Sequence, residues 1–147
     1  MTVMSTTRES QARAELVTGE PTIGLVLDAP RAWLRLEGLA LLTAAIAGFA
    51  WVGETWWLFG LLLLAPDLSA VGYVFGRSVG ARVYNAAHAM PVPLALAVLG
   101  VWTDQMIVVA LSLTWLAHIG LDRAMSYGLK YPDHPGHTHL GWHGPVR

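Results

Sequence analysis

The chain has no cysteine. That absence excludes thiolate catalysis, Cys-ligated zinc, iron–sulfur centres and disulfides. Charge is also scarce. Only 13% of the 147 residues are Asp, Glu, Lys or Arg, about half the share of an ordinary soluble domain. The formal net charge of −1 argues against a nucleic-acid role, which needs a basic surface. The first 30 residues contain no long apolar run, so no cleavable signal peptide is expected. Basic residues are missing from two of the connections between the apolar runs: Gly53-Glu54-Thr55 and Thr103-Asp104-Gln105.

What is present is apolar. Hydrophobic residues make up 54% of the chain, with seven Trp and fifteen Gly, a composition suited to a bilayer. Hydropathy divides it into four spans. The first runs from Pro30 to about Val52, the second from Trp56 to about Gly76, the third from near Ala81 to Trp102, and the fourth from Met106 to about Tyr127. Each reaches the roughly 20 residues that cross a hydrocarbon core. Arg8, Arg13, Arg31 and Arg35 precede the first span, Arg77 and Arg82 lie in the link 77–82, and Arg123, Lys130 and Arg147 come at or after the end of the fourth. Basic residues mark the cytoplasmic side. The expectation is therefore an all-α, four-transmembrane-helix antiparallel bundle in the inner membrane, with both termini cytoplasmic. Its parts are an N-terminal segment 1–30, disordered or interfacial with Ile23–Leu27 dipping into the interface, a membrane domain 31–128 and a His-rich cytoplasmic tail 129–147.

Two patterns bear on packing. Gly72, Gly76 and Gly80 recur every fourth residue, a spacing that lets helices approach closely, though Gly80 could simply end a loop. Pro91 and Pro93 predict a kink in the third span that frees backbone carbonyls near His88. The Ala- and Gly-rich faces of the first or third helix would allow a homo-oligomer. Most Trp residues fall at span ends, as interfacial belts do.

Ionisable groups inside a membrane are costly and usually partnered. Each span carries polar candidates: Glu37 in the first, Asp67 in the second, Tyr84, Asn85 and His88 in the third, His118 and Asp122 in the fourth. Counting about 1.5 Å per residue puts Glu37, His88 and His118 roughly 5–12 Å inside one boundary, with Asp122 nearer that boundary and Asp67 nearer the midplane. His118 and Asp122 are spaced i,i+4 and so share a helix face, as do Tyr84 and His88. Imidazole and carboxylate on facing helices build metal sites in bundles. Asp67, His88, His118 and Asp122 are the candidate ligands for one or two divalent zinc, iron or manganese ions. His139 is a further ligand if the tail returns over the bundle, since His137 and His139 would point the same way in an extended chain. Glu37 is the candidate general base or an additional ligand, Asn85 or Tyr84 would orient substrate, and Arg123 and Lys130 could hold an anionic headgroup, their ordinary alternative being the basic bias of the cytoplasmic side. Each has an ordinary alternative: Glu37 pairing with Arg35, Asp67 capping a helix after Pro66, His88 as a hydrogen-bonded core residue, and Asp122 paired with Arg123.

The segments LRLEG (34–38), PDLSAVGY (66–73), YNAAHAMPVP (84–93), HIGLDRAMSYGLKYP (118–132) and THLG (138–141) together resemble a bacterial family of small integral membrane proteins, domain of unknown function 4260. The resemblance covers residues 31–142 and is most specific in the HIGLDR…GLKYP block, where Ser126 stands in place of the family's usual glycine. It implies a four-helix membrane fold and no established activity. The residues suggest a metal-dependent hydrolase acting on a lipid or lipid-like substrate in the bilayer. Alternatives are a non-enzymatic ligand- or proton-binding membrane protein and a di-iron oxidase.

Overall fold

The computed structural model describes residues 28–143. The segment expected at the interface, Ile23–Leu27, lies outside the described residues. The elements are α1 (Asp28–Val52), α2 (Trp56–Leu63), a 3-10 segment (Ala65–Phe75), α3 (Arg77–Ala87), α4 (Pro91–Trp102), α5 (Met106–Ala124) and a small hairpin of β1 (His137–Thr138) and β2 (Gly141–Trp142). Four stretches are long and apolar enough to cross a membrane: Pro30–Val52, Trp56–Phe75, Arg77–Trp102 and Met106–Ala124. The all-α fold of four membrane-length helical stretches is as the hydropathy predicts, and it is compatible with a multi-pass membrane protein.

The second span is not one α-helix. Pro66 has no N–H to continue the ladder, and the chain tightens to i→i+3 bonding, beginning with Asp67 N–H to the Leu64 carbonyl at 3.2 Å. The 3-10 form continues to Phe75. With three residues per turn it stacks positions 64, 67, 70 and 73 in one row. The link to the third span is also shorter than residues 77–82. Gly76 alone turns the chain, at φ +106°, and α3 begins at the next residue. The three glycines therefore do not form one helical stripe. Gly72 and Gly80 lie on opposite arms of this turn, where an added Cβ would come within 2.9 Å of Val83 and 2.3 Å of Tyr73 respectively.

The proline break in the third span is present. Pro91 starts α4 and cannot donate to the Ala87 carbonyl, which an unbroken helix would require. The indole Nε1 of Trp115 donates to that carbonyl instead, at 2.6 Å. Trp115 thus satisfies a freed backbone group in mid-span rather than marking an interface.

The fourth span, α5, is the hub. Half of its membrane-length window is buried, against 11–17% for the other three. Ala45, Leu116 and Ala117 form the centre of the core, with Leu41, Leu42, Phe59, Leu63 and Met90 packed around them. α1 crosses α5 at backbone contact. A Cβ on Gly120 would sit 2.6 Å from the Leu42 nitrogen.

After α5 the chain turns through Ser126, at φ +69°, with Tyr127 N–H bonded to the Asp122 carbonyl at 2.7 Å. This is a left-handed helix terminus of the kind that favours glycine. The tail then folds back onto the bundle. Leu140 is fully buried, His139 N–H donates to the Leu129 carbonyl at 3.1 Å, and Arg77 Nη1 donates to the Asp133 carbonyl at 3.1 Å.

Candidate metal centre

Three separate pieces of local structure converge on one point. α5 supplies His118 and Asp122 from one face. The break before Pro91 supplies His88, which caps the C-terminus of α3. The 3-10 row supplies Asp67. His88 Nε2 lies 3.0 Å from His118 Nε2, 3.4 Å from Asp67 Oδ1 and 3.7 Å from Asp122 Oδ2. His118 Nε2 lies 3.6 Å from Asp67 Oδ1 and 3.8 Å from Asp122 Oδ2. All four donor atoms fall within 4.8 Å of one another. An ion bound tetrahedrally at about 2.1 Å sets its ligand atoms about 3.4 Å apart. The observed separations bracket that value.

The surroundings orient the donors. His88 Nδ1 is 2.8 Å from the Tyr84 carbonyl. Only a protonated Nδ1 can bond to an acceptor, so the lone pair is left on Nε2, facing the cluster. The Tyr84 ring stacks on His88 with centroids 3.7 Å apart, and its hydroxyl donates to Asp122 Oδ2 at 3.1 Å. His118 is held by packing, for its Nδ1 is buried with no partner among the described residues. The side chains of His88, His118 and Asp122 are only 4%, 1% and 15% exposed, whereas Asp67 is 50% exposed. Three donors are therefore fixed in protein, and the fourth faces a cavity of about 410 Å³. Leu64, Ala70, Leu121 and Met125 form its apolar wall, and Tyr84, Tyr127 and Lys130 line it with the donors.

Not every residue singled out in the sequence joins this cluster. Glu37 is exposed on α1 and interacts electrostatically with Arg123. Depth along a helix does not fix the direction a side chain faces, and Glu37 faces elsewhere. His139 is also outside the cluster, because the turn between β1 and β2 directs its Nδ1 to accept from Leu129 N–H at 2.9 Å. Asn85 is adjacent but engaged with the backbone. Its Nδ2 donates to the Lys130 carbonyl at 2.9 Å, and its Oδ1 accepts from Lys130 N–H at 2.7 Å. Tyr84 is at the site as a partner of two donors. Depth also differs from the simple count. His88 follows the 11 residues of α3, which places it about 16 Å along that helix from the Gly76 turn. Asp67 lies beside the histidines, 3.4 and 3.6 Å from their Nε2 atoms, rather than a layer deeper.

The chain belongs to the family described as domain of unknown function 4260, DUF4260, whose model matches residues 31–142. The matched stretch of DUF4260 takes in all four donors and the tail as far as Trp142. Comparisons with curated proteins and with solved structures gave no match.

Trp115 escaped the sequence reading, and Lys130, read there with Arg123 as able to hold an anionic headgroup, is placed by contacts that the reading did not include. Trp115 holds the helix break open for His88, and the Pro-x-Pro pair was its available signal, since a freed carbonyl needs a donor. Lys130 stands over the Tyr84 ring, its Nζ 3.9 Å from the centroid. Burial pulls its ammonium below the usual lysine range, with Asp122 and Asp67 acting in the opposite direction. Its position depends on contacts 45 residues apart, and no local pattern encodes them.

Proposed function

We propose that this DUF4260 protein is a membrane hydrolase with a single divalent metal ion, acting on a lipid-like substrate in the bilayer. One observation carries the proposal: His88 and His118, both buried, and the half-buried Asp122 gather at separations that suit a bound ion, with the exposed Asp67 beside them on a cavity. Structural metal sites are closed, whereas catalytic ones keep an accessible position. Two imidazoles and a carboxylate suit zinc, iron or manganese, and three such ligands with the fourth position left to water are the pattern of catalytic zinc.

When bound, the ion supplies Lewis acidity and lowers the pKa of water. The protein's own groups do the rest. His88, His118 and Asp122 hold the site in a fixed shape. Asp67, at the cavity wall, accepts the proton of the attacking water. That role falls to Asp67 rather than Glu37, which faces Arg123. The apolar wall of Leu64, Ala70, Leu121 and Met125 keeps bulk water away and accommodates aliphatic chain. The distribution of Arg and Lys orients the cavity side toward the cytoplasmic leaflet, which a reporter fused at Glu54 or Asp104 tests by its periplasmic signal. A di-iron oxidase is less well supported, since dinuclear bundle sites use about six side-chain ligands and the described residues gather four.

The test is elemental mass spectrometry on protein purified without a His tag. Wild type should carry about one equivalent of metal, as a single site of three protein ligands does. His88→Ala and His118→Ala should lose it while remaining inserted. Asp67→Asn should retain part of the metal and lose hydrolysis of membrane lipids. Wild type that takes up no metal after reconstitution overturns the proposal.

A further inference from the structure

Lys130 is held with unusual care for a surface lysine. Its backbone N–H and carbonyl are both bound by the Asn85 amide, at 2.7 and 2.9 Å. Its backbone also bridges to Thr138 of the hairpin. The ammonium lies 3.9 Å from the Tyr84 ring centroid and 5.6 Å from that of Tyr73. Both rings belong to the walls of the second and third spans, and the Tyr84 hydroxyl reaches the donor Asp122. Among the described residues Lys130 forms no ion pair.

Asp122 and Asp67 line the same cavity and act on the ammonium through space, but neither reaches it in a salt bridge, so an anion from outside can take that place. The charge count agrees, resting here on the metal centre proposed above. A divalent ion, two carboxylates and two neutral imidazoles sum to zero, so Lys130 leaves the loaded cavity with one positive charge. Ammonium binds phosphate well as a compact point charge. The remaining wall is apolar, through Leu64, Ala70, Leu121 and Met125. A free inorganic anion has no use for that surface, whereas the chain of an amphiphile does.

We infer that the cavity binds the phosphate group of an anionic amphiphile, with Lys130 as the residue that recognises the phosphate. Lys130 is a specificity-determining residue, and the Asn85 clamp and the aromatic pair Tyr73 and Tyr84 position it.

The experiment titrates the full chain, in a neutral maltoside detergent, with dioleoyl phosphatidic acid and separately with inorganic phosphate. Metal content is measured on each sample, and metal-loaded and metal-stripped protein are both used. Phosphatidic acid should bind wild type, and Lys130→Gln should weaken binding at least about tenfold, the scale of one charge-assisted bond. Lys130→Arg should largely restore it. Arg82→Gln, at an exposed position of α3, controls for general attraction of anionic lipid to a basic surface. Equal losses from Lys130→Gln and Arg82→Gln overturn the inference. So does binding of inorganic phosphate with indifference to phosphatidic acid, which would indicate a small-anion site. Unaltered metal content in Lys130→Gln separates the two readings. If wild type binds no metal, the metal centre fails, while Lys130-dependent binding by the stripped protein still sustains this inference and its absence refutes it.

Discussion

Replacing Tyr84 with Phe removes one oxygen and leaves almost everything else in place. The ring still stacks on His88 and still lies beneath the Lys130 ammonium. The lost contact is the hydroxyl's bond to Asp122 Oδ2, 3.1 Å long. Such outer-sphere partners contribute about 10–100-fold to metal affinity. The bond is longer than the usual ~2.7–2.8 Å of a hydroxyl donor, so the effect belongs at the weak end. Tyr84→Phe should raise the metal Kd about tenfold, or about 1.4 kcal/mol. Competition against a chromophoric chelator measures this, and Asp122→Asn provides the comparison in which a donor itself is altered. An unchanged Kd in Tyr84→Phe would refute the claim that the hydroxyl orients Asp122. A loss as large as that of Asp122→Asn would refute the assignment of Tyr84 to a supporting position.

Asn85→Ala should loosen the tail, since it removes both bonds that hold the Lys130 backbone, worth together about 2–3 kcal/mol of local stability. Faster amide exchange at Lys130 and earlier proteolytic cleavage within 129–143 would report it, with α5 still protected. Gly120→Ala should lower the melting temperature in detergent, because the new methyl would meet the backbone of Leu42 at 2.6 Å and the Gly38 carbonyl at 2.8 Å; overpacking of this kind costs about 1–3 kcal/mol. The tail should also loosen in acid. Burial holds the His139 imidazole below its ordinary value of 6.5, and Leu129 N–H bonds to its unprotonated Nδ1. The unfolded tail therefore binds the proton more readily, so this contribution is complete above about pH 6.5 and declines as pH falls toward the lower folded value. Exchange at the Leu129 amide, corrected for intrinsic rate, should accelerate across that window in wild type and lose the pH dependence in His139→Ala.

Much of this fold is legible in the sequence because hydropathy and one polar cluster per span are properties of local composition. His118 and Asp122 could be paired from their i,i+4 spacing alone, and the proline pair announced the break that releases His88. Other features depend on information that local patterns do not contain. Hydropathy does not distinguish 3-10 from α bonding, so the row that carries Leu64, Asp67 and Ala70 toward the cavity was hidden. Glu37 illustrates the difference between depth and direction, for a residue at the right level can still face away. His139 shows that an extended reading of His137-Thr138-His139 fails where the chain makes a hairpin. The Asn85–Lys130 clamp joins residues 45 positions apart, and neither residue type signals the other.

The burial of α5 has a consequence for synthesis in the cell. The helix that serves as common partner to the others is the last of the four described spans to leave the ribosome, and it brings His118 and Asp122 with it. Val52 ends α1 and Met106 begins α5, so at roughly 5–20 residues per second the first span waits about 3–11 s for its principal neighbour. During that interval the glycine face of α1 and the side chain of Asp67 are without their eventual partners. The donor cluster is thus complete only once the fourth of these spans has emerged, and a chain interrupted before Met106 would lack Leu116 and Ala117 of the core and the donors His118 and Asp122.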